Sequence, residues 1–429
     1  MLDIRHVAAH VDDVTRNCKN RNMPSDVAGL VDLYRRRNVD LTLLEQTRAE
    51  ANASAKSMQG KMEPEVRQQR IAEGRALKQK IAELETTVAA LDVELDRWLR
   101  TLPNLTHPDV PIGHTDDDHR ELRRWGTRRQ FDFKPKDHVD LAEALDLIDF
   151  DGGAKVAGQK FYFLRKEMVL LDLALQRFAI DRLIAKGFTP VVTPDLARPD
   201  ILEGIGFNPR GAESQVYSIQ GHDLCLVGTA EITIGGMLQG RLLKADELPI
   251  RIAGISHCFR TEAGAAGRES RGLYRVHQFT KIEMFIFCEG ELQKSEAHHD
   301  ELLAIEEELF QALEIPYRVI DVCSGDLGAP AYRKFDIEAW MPGRGEAGIY
   351  GEVTSTSNCT DYQARRLEIR AYGEGGQKPK PVHTLNGTAL ALSRALIAIL
   401  ENHQQADGSI TMPAALLPYL PFTQIGPKA

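Results

Sequence analysis

The 429-residue chain lacks the features that would tie it to a membrane, a disulfide framework or a metal cluster. No stretch reaches the ~18 uncharged apolar residues that a membrane-spanning helix needs. The six cysteines, at positions 18, 225, 258, 288, 323 and 359, are scattered and form no CxxC pair. The N-terminus is charged and has no apolar signal core. We therefore expect reduced, packed cysteines, no zinc site, no secretion signal and a cytoplasmic protein.

The sequence also lacks the two common phosphate-binding loops. Neither GxxxxGK[ST] nor a helix-opening GxGxxG occurs in it. A nucleotide site in this chain would therefore have to be built from side chains on a sheet. The composition, 43% apolar and 27% charged, is that of a globular protein, and the length allows two or three domains.

The charge is acidic overall but uneven. The net charge is −9, yet residues 48–80 hold eight Lys or Arg against four Glu, which leaves that segment at +4. A basic segment on an acidic protein is a hint of nucleic-acid contact, although solvated helix faces often have the same composition.

Two heptad patterns stand near the N-terminus. One runs from Leu30 to Met58 and the other from Leu77 to Trp98, with mostly apolar residues at alternating steps of three and four. Arg37 and Arg48 occupy core-type positions in the seam of the first pattern. Gly60 and Pro64 between them mark a helix end and a helix start. The pattern predicts an antiparallel two-helix arm over about 27–101, roughly 45 Å long at 1.5 Å per residue. A dimerisation coil with no role in RNA binding is the alternative.

The rest of the chain mixes helices and short strands. Residues 101–126 are rich in Pro, His and Asp and predict a linker, and helical patterns follow at Leu141–Phe150 and Leu164–Lys186. Strand-like runs occur at 188–193, 224–227, 250–261, 276–287, 317–322, 335–340 and 348–354. Because hairpins recur, an α+β fold with an antiparallel sheet and flanking helices is favoured over a doubly wound parallel sheet.

Residues 250–287 carry the densest set of candidate ligand-binding groups. They predict two strands joined by a loop with three arginines and three glycines. Alternate residues of a strand share a face, so Arg260 pairs with Glu262, and Phe279 with Glu283. One face of the sheet would then carry a cation that could bind phosphate, an aromatic ring that could stack on a base, and carboxylates that could bind amine or hydroxyl groups. A hairpin with surface charges is the simpler alternative.

Three further segments could contribute to such a site. Arg394 lies in the apolar run Thr388–Leu400, and a buried guanidinium needs either a protein carboxylate or an anionic ligand. Thr388 could equally be a helix N-cap. Glu352 and Ser355 end a strand, where they could hold Mg²⁺ against phosphates or simply cap the strand. Thr229 and Glu231 follow the apolar run 224–227 and could equally form only a turn.

Together these segments resemble the seryl-tRNA synthetase family, class II enzymes of bacterial and organellar type. Residues 187–194 are similar to motif 1, the dimer-interface element of class II enzymes. Residues 259–262 through 275–279 resemble motif 2, and residues 387–394 resemble motif 3. The resemblance covers essentially the whole chain. It implies an N-terminal tRNA-binding domain over 1–105 with the helical arm, a linker over 106–126 and a class II catalytic domain over 127–429.

The resemblance also implies a role for each matching position. Serine would be bound by Thr229, Ala230, Glu231, Arg260, Glu283 and Thr388. ATP would be bound by Arg260, Thr261, Glu262, Val276, Phe279, Glu352, Val353, Thr354, Ser355 and Arg394. Glu352 and Ser355 would hold Mg²⁺ with ATP, the catalytic residues would be Arg260, Glu352 and Arg394, and no zinc is implied. Arg268 and Arg271 would contact pyrophosphate or the acceptor end of the tRNA.

The implied activity is ATP-dependent ligation of L-serine to tRNA(Ser), and also to tRNA(Sec), by a homodimer that needs no membrane. Two departures from the family pattern lie near the pocket: the 204–211 loop is long and rich in Arg and Pro, and Thr354 stands where serine is frequent. An amino acid:carrier-protein ligase is disfavoured because such relatives lack the arm. A non-catalytic paralogue that binds RNA is disfavoured because the chemical positions are all present.

Overall fold

The computed structural model describes residues 1–58, 63–207, 215–263, 272–373, 375 and 377–426. Their contacts divide the chain into two compact units, Met1–Leu105 and Thr106–Ala429. The first unit contains the helices α1 (Ile4–Ala9), α2 (Val11–Asn20), α3 (Val27–Ser57) and α4 (Pro64–Leu99). The apolar side chains of α1 and α2 pack against the start of α3 and the end of α4, around Val7, Val14, Leu30 and Leu99.

The long helices α3 and α4 form the expected antiparallel arm. Asp26 caps α3 by accepting a hydrogen bond from Gly29 N at 2.9 Å, and Pro64 opens α4. Two arginines at seam positions are paired across the arm: Arg37 Nε lies 2.8 Å from Asp92 Oδ1 and Arg48 Nη2 lies 2.6 Å from Glu85 Oε1. These pairs explain why the seam tolerates cations. Residues 60–62 of the predicted helix break lie outside the described residues.

The second unit is built on an eight-stranded sheet in the order β1-β10-β11-β12-β15-β9-β8-β4. Its strands are β1 (Arg120–Trp125), β4 (Thr189–Val192), β8 (Ile250–Phe259), β9 (Gln278–Cys288), β10 (Tyr317–Asp321), β11 (Arg333–Met341), β12 (Ile349–Thr360) and β15 (His383–Ala391). Neighbours are antiparallel except for β4 and β8, which are parallel. The predicted α+β class with an antiparallel-dominated sheet is therefore confirmed.

Smaller strands and the helices surround this sheet. The strands are β2 (Ile148–Asp149), β3 (Phe163–Leu164), β5 (Leu196–Ala197), β6 (Cys225–Leu226), β7 (Leu242–Leu243), β13 (Arg370–Gly373), β14 (Gln377–Pro381), β16 (Ile410–Thr411) and β17 (Gln424–Ile425). The helices are α5 (His138–Ala144), α6 (Phe150–Ala157), α7 (Glu167–Ala185), α8 (Pro199–Ile205), α9 (Ala230–Met237), α10 (Leu292–Ala312), α11 (Tyr362–Arg366) and α12 (Leu392–His403). The largest apolar cluster lies where α7, α10 and α12 meet the sheet.

The structure corrects several boundaries. Part of the predicted linker, Arg120–Trp125, is the edge strand β1, paired with β10. The sequence pattern did not indicate this strand because its residues are mostly charged, as is common for strands at the edge of a sheet. The run 388–400 is not one helix: Thr388 lies in β15, and α12 begins only at Leu392 with Ala391 as its N-cap. The N-cap alternative for Thr388 is therefore wrong.

The cysteines are buried, as expected from the sequence for reduced residues that pack in the interior. All six cysteines are free thiols with buried side chains. Among the described helices, none combines the length and the apolarity needed to cross a membrane.

Candidate active site

The predicted site residues meet in one cavity of about 210 Å³ above the centre of the large sheet. All of them line it except Ala230, which is buried as the first residue of α9, and Thr261. The lining residues are Phe207, Thr229, Glu231, Arg260, Glu262, Tyr274, Val276, Phe279, Lys281, Glu283, Glu352, Val353, Thr354, Ser355, Asn386, Thr388, Ala391, Ser393 and Arg394. A neighbouring cavity of about 840 Å³ shares Glu231, Arg260 and Arg394 with it.

The register of the sheet explains why residues far apart in sequence meet here. Glu283 on β9 is the cross-strand partner of Gly254 on β8 and of Thr388 on β15. A Cβ at Gly254 would lie 2.6 Å from Ile234 Cδ1 and 3.0 Å from Ala230 Cβ. Glycine at this position therefore lets α9 pack closely on the sheet, and this packing brings Thr229 and Glu231 to the cavity.

One end of the cavity is a buried carboxylate in a fixed orientation. Glu231 Oε1 accepts hydrogen bonds from Gln363 Nε2 at 2.7 Å and Asn386 Nδ2 at 2.9 Å. Thr384 Oγ1 in turn donates to Gln363 Oε1 at 2.7 Å. Burial raises the pKa of Glu231 to about 7, and the negative charge of Glu283 adds to the rise. This carboxylate can receive an ammonium group once it is ionised.

Thr229 contributes to the same end and has a structural role as well. Its side chain caps α9 by accepting a hydrogen bond from Glu231 N at 3.2 Å. These residues begin a helix and do not form only the turn that the sequence left as an alternative, and the cap does not exclude a ligand role because Thr229 still lines the cavity.

The floor holds a compact polar cluster on β9 and β15. Lys281 Nζ forms an ion pair with Glu283 Oε2 and lies 3.4 Å from Thr388 Oγ1, while Thr388 Oγ1 donates to Glu283 Oε2 at 3.3 Å. Phe279, Lys281 and Glu283 alternate along β9, so all three side chains face the cavity. The same alternation could have identified Lys281 from the sequence, where it was missed.

The cavity wall also carries two arginines. Arg394 Nη1 lies 3.1 Å from Glu352 Oε2 and 3.0 Å from Glu352 O, with its guanidinium 4.6 Å from the ring of Tyr274. The ion pair proposed as one alternative for Arg394 therefore exists, and it lies in the cavity wall. Burial disfavours ionisation of Glu352, but the positive charges of Arg394 and Lys334 outweigh it and hold the pKa of that carboxyl below its ordinary value.

Arg260 lies beyond the end of its strand. The strand predicted over 250–261 ends at Phe259, so Arg260 and Glu262 do not share a strand face as expected, and Glu262 has a positive φ of 52°. They reach the cavity because His277 fixes the turn: Arg260 N donates to His277 O at 3.0 Å, and His277 Nδ1 lies 2.8 Å from Arg260 O. The Arg260 guanidinium lies 5.4 Å from the ring centre of Phe279.

Two other lining residues, Tyr274 and Asn386, and Gln363, which hydrogen-bonds Glu231, had no sequence signal. Tyr274 stands in a segment without periodicity, and Asn386 and Gln363 acquire their role only through the pairing of strands and helices around Glu231. Arg268, Arg271 and positions 208–211 of the long loop lie outside the described residues.

A divalent cation is compatible with the donors at Glu352 and Ser355. Both lie on β12 and line the cavity, and together they offer a carboxylate and a hydroxyl oxygen, the ligand type that Mg²⁺ prefers. The Glu352 side chain keeps 43% of its surface exposed beside its pair with Arg394.

Comparison with known proteins identifies both units. Residues 1–106 match the model of the seryl-tRNA synthetase N-terminal domain, and residues 215–403 match the tRNA synthetase class II core domain (G, H, P, S and T). The chain is 54% identical to a serine--tRNA ligase of Treponema denticola, over 99% of this chain and 100% of that protein. It is 53% identical to the serine--tRNA ligase of Rubrobacter xylanophilus, over 100% and 99%.

The similarity extends to solved structures. A seryl-tRNA synthetase from Pyrococcus horikoshii, complexed with ATP, superposes with a TM-score of 0.94 at 41% identity and full coverage of both chains. A cytoplasmic serine–tRNA ligase from Naegleria fowleri in complex with AMP gives a TM-score of 0.89 at 31% identity, over 100% of this chain and 99% of that one. The chain therefore belongs to the seryl-tRNA synthetase family.

Proposed function

We propose that this chain activates L-serine with ATP and transfers it to tRNA(Ser). The observation that carries the proposal is that a single cavity brings together Glu231, Glu283 and Thr388 with the two arginines Arg260 and Arg394. In the first step a serine carboxylate oxygen bonds to the α-phosphorus while the bond to the β-phosphate oxygen breaks and pyrophosphate leaves. In the second step the terminal ribose hydroxyl attacks the adenylate carbonyl, and AMP leaves.

Each polar group of serine has a matching group in the cavity. Glu231 and Thr229 receive the ammonium, with Ala230 N beside them, and Arg260 binds the carboxylate. Glu283 and Thr388 take the side-chain hydroxyl, and their hydrogen bond to each other places both within reach of one small group. A site built to hydrogen-bond a hydroxyl rejects alanine strongly, because its buried polar groups would lose their partner.

ATP occupies the opposite end in this proposal. Phe279 stacks on the base, Glu262 accepts a hydrogen bond from the adenine amino group, and Thr261 and Val276 lie beside it. Arg260 binds the α-phosphate and Arg394 the γ-phosphate, while Glu352, Val353, Thr354 and Ser355 line the phosphate path. Mg²⁺ held by Glu352 and Ser355 would supply neutralisation of the phosphate charge. The residues then act by aligning the two substrates and stabilising developing charge.

The partners of the enzyme follow from the family and the arm. We propose that the arm, in which segment 48–80 is basic, binds tRNA(Ser), and tRNA(Sec) as well, and that two copies form a homodimer through 187–194. RNA duplexes are recognised largely by shape and backbone, for which an exposed helical surface is suited. The six free, buried cysteines support the cytoplasm as its location.

Serine-dependent exchange of pyrophosphate into ATP, followed by charging of tRNA(Ser), tests this function. A serine--tRNA ligase catalyses both reactions. A non-catalytic paralogue would support neither of them. An amino acid:carrier-protein ligase would support the first alone, so failure of charging in the presence of exchange would favour that alternative.

Thr388→Ala is expected to lower kcat/KM for serine about tenfold and to change KM for ATP much less. The hydroxyl that it removes donates to Glu283, and a hydrogen bond to a charged group contributes about 1.5–3 kcal/mol. Amino acid-dependent and ATP-dependent exchange kinetics give both numbers. Thr411→Ala, an exposed strand threonine, is the matched control. Equal effects on serine and ATP would remove Thr388 from the serine site.

The pH dependence of serine use should follow Glu231. Its raised pKa of about 7 means that the carboxyl is protonated below that pH, and a neutral acid cannot pair with the ammonium. We expect kcat/KM for serine to fall by up to about tenfold per unit below the pKa, with Lys281 and Arg260 as the neighbouring cations that oppose protonation. Glu231→Gln should give a lower, flatter profile. An unchanged profile in this variant would assign the titration to another group.

A further inference from the structure

Lys281 contacts no substrate group in the function proposed above, although it lines the cavity beside Glu283 and Thr388. It is 6% exposed, and its two partners, Glu283 and Thr388, are 2% and 8% exposed. The three polar atoms form a closed triangle: the ammonium pairs with Glu283 Oε2 and donates to Thr388 Oγ1, which donates to the same Oε2. A buried lysine paired so closely fixes both neighbours.

The triangle sets the direction of its hydrogen bonds. An ammonium group can only donate, so Thr388 Oγ1 accepts from Lys281 and turns its own proton toward Glu283. Oε2 of Glu283 is then occupied by two donors. Oε1 has no hydrogen-bond partner recorded among the described residues, and Thr388 keeps a lone pair. The cluster therefore offers acceptors to a ligand and no hydroxyl proton.

The ammonium of Lys281 also changes what those acceptors attract. An isolated buried carboxylate would bind a cationic side chain most strongly, since charge-assisted pairs are the strongest hydrogen bonds. Here the charge of Glu283 is already balanced by Lys281 within the same triangle. A neutral donor such as a hydroxyl can bind without a second cation being brought close to the first, whereas a side-chain ammonium would meet Lys281 at short range and low dielectric.

We propose that Lys281 is a positioning residue that sets amino-acid specificity: it holds Glu283 and Thr388 as acceptors for a neutral hydroxyl and excludes amino acids with a cationic side chain of the same size. The inference rests on the proposed serine site and adds a repulsive element to it. Specificity of this kind is a difference between two affinities, and it is commonly achieved by penalising the competitor.

L-2,3-Diaminopropionate is the probe, because it is serine with the hydroxyl replaced by an amino group. Pyrophosphate exchange is measured with serine, with diaminopropionate and with alanine for the wild type, Lys281→Met and Lys281→Arg. For Lys281→Met the ratio of kcat/KM for diaminopropionate to that for serine should rise at least about tenfold, since the repulsion is removed and Glu283 is left unbalanced. Lys281→Arg, which keeps the cation, should hold the ratio near the wild-type value.

Lys334→Met is the matched control. Lys334 is also a mostly buried lysine beside carboxylates, with Nζ 3.5 Å from Asp336 Oδ2 and 3.8 Å from Asp326 Oδ2, but it lines the neighbouring cavity and not the serine end. Its removal should leave the ratio between the two amino acids unchanged, whatever happens to the overall rate.

The outcomes separate this inference from the proposed function. Absence of serine-dependent exchange in the wild type would refute the function itself. Wild-type exchange with an unchanged ratio in Lys281→Met would make Lys281 only a structural counterion. If Lys281→Met does not fold, the wild type decides alone: it should use diaminopropionate no better than alanine, and a kcat/KM more than about tenfold above that for alanine would overturn the proposal.

Discussion

Arg260→Ala is expected to reduce serine-dependent pyrophosphate exchange by about 100- to 1000-fold, equivalent to about 3–4 kcal/mol of transition-state stabilisation. In the proposed mechanism this guanidinium contacts both reacting partners, the serine carboxylate and the α-phosphate. The turn around it is preorganised by two hydrogen bonds to His277, and Arg260 Nε reaches Gly228 O at 3.4 Å. A donor fixed in this way costs little reorganisation during the reaction, so its loss appears mainly in kcat/KM.

Two further variants make the measurement specific. Arg260→Lys keeps the charge but not the planar fork, and should recover only part of the lost rate. Arg124→Ala removes an exposed arginine of the same unit, whose side chain pairs with Glu121 at the surface, and should leave exchange near the wild-type level. Near-normal exchange in Arg260→Ala would show that this residue has no role in the reaction. It would also contradict the proposed positions of serine and ATP in the cavity.

The sequence predicted structure that depends on nearby residues better than contacts between residues that are far apart in the chain. The arm was predictable because its heptads are local, and even the seam cations Arg37 and Arg48 have partners one helix away. Only the family resemblance predicted that Glu283 and Thr388 belong to the same site. These residues are 105 positions apart, and a strand register joins them.

The errors have physical causes of the same kind. The run 383–391 was missed as a strand because apolar residues with Thr and Gly fit both a buried strand and the start of a helix. Arg260 was assigned to a strand face, whereas the strand stops one residue earlier and a turn held by His277 directs the side chain. Lys281 was overlooked although it alternates with Phe279 and Glu283.

Shortening the arm should separate the two steps of the reaction. Replacing residues 46–86 by a linker of about four residues is expected to leave serine-dependent exchange near the wild-type level and to lower kcat/KM for tRNA charging about 100-fold or more. The cut is placed outside the Arg37–Asp92 pair and keeps Leu44, Val88 and the apolar base of the arm. A loss of about 3 kcal/mol of tRNA contacts accounts for that factor.

The charge of the removed segment gives the prediction a second readout. Exposed cations are concentrated in the distal arm, among them Lys56, Arg67, Arg75, Lys78 and Lys80. Because phosphate contacts release counterions, wild-type tRNA affinity should weaken steeply with salt, and the shortened enzyme should show a smaller slope. Thermal unfolding and oligomeric state are compared first, so that a folding defect is not mistaken for lost tRNA binding. If charging survives and its salt slope is unchanged, the arm does not serve to bind tRNA. That result would favour the alternative in which residues 27–101 form a dimerisation coil.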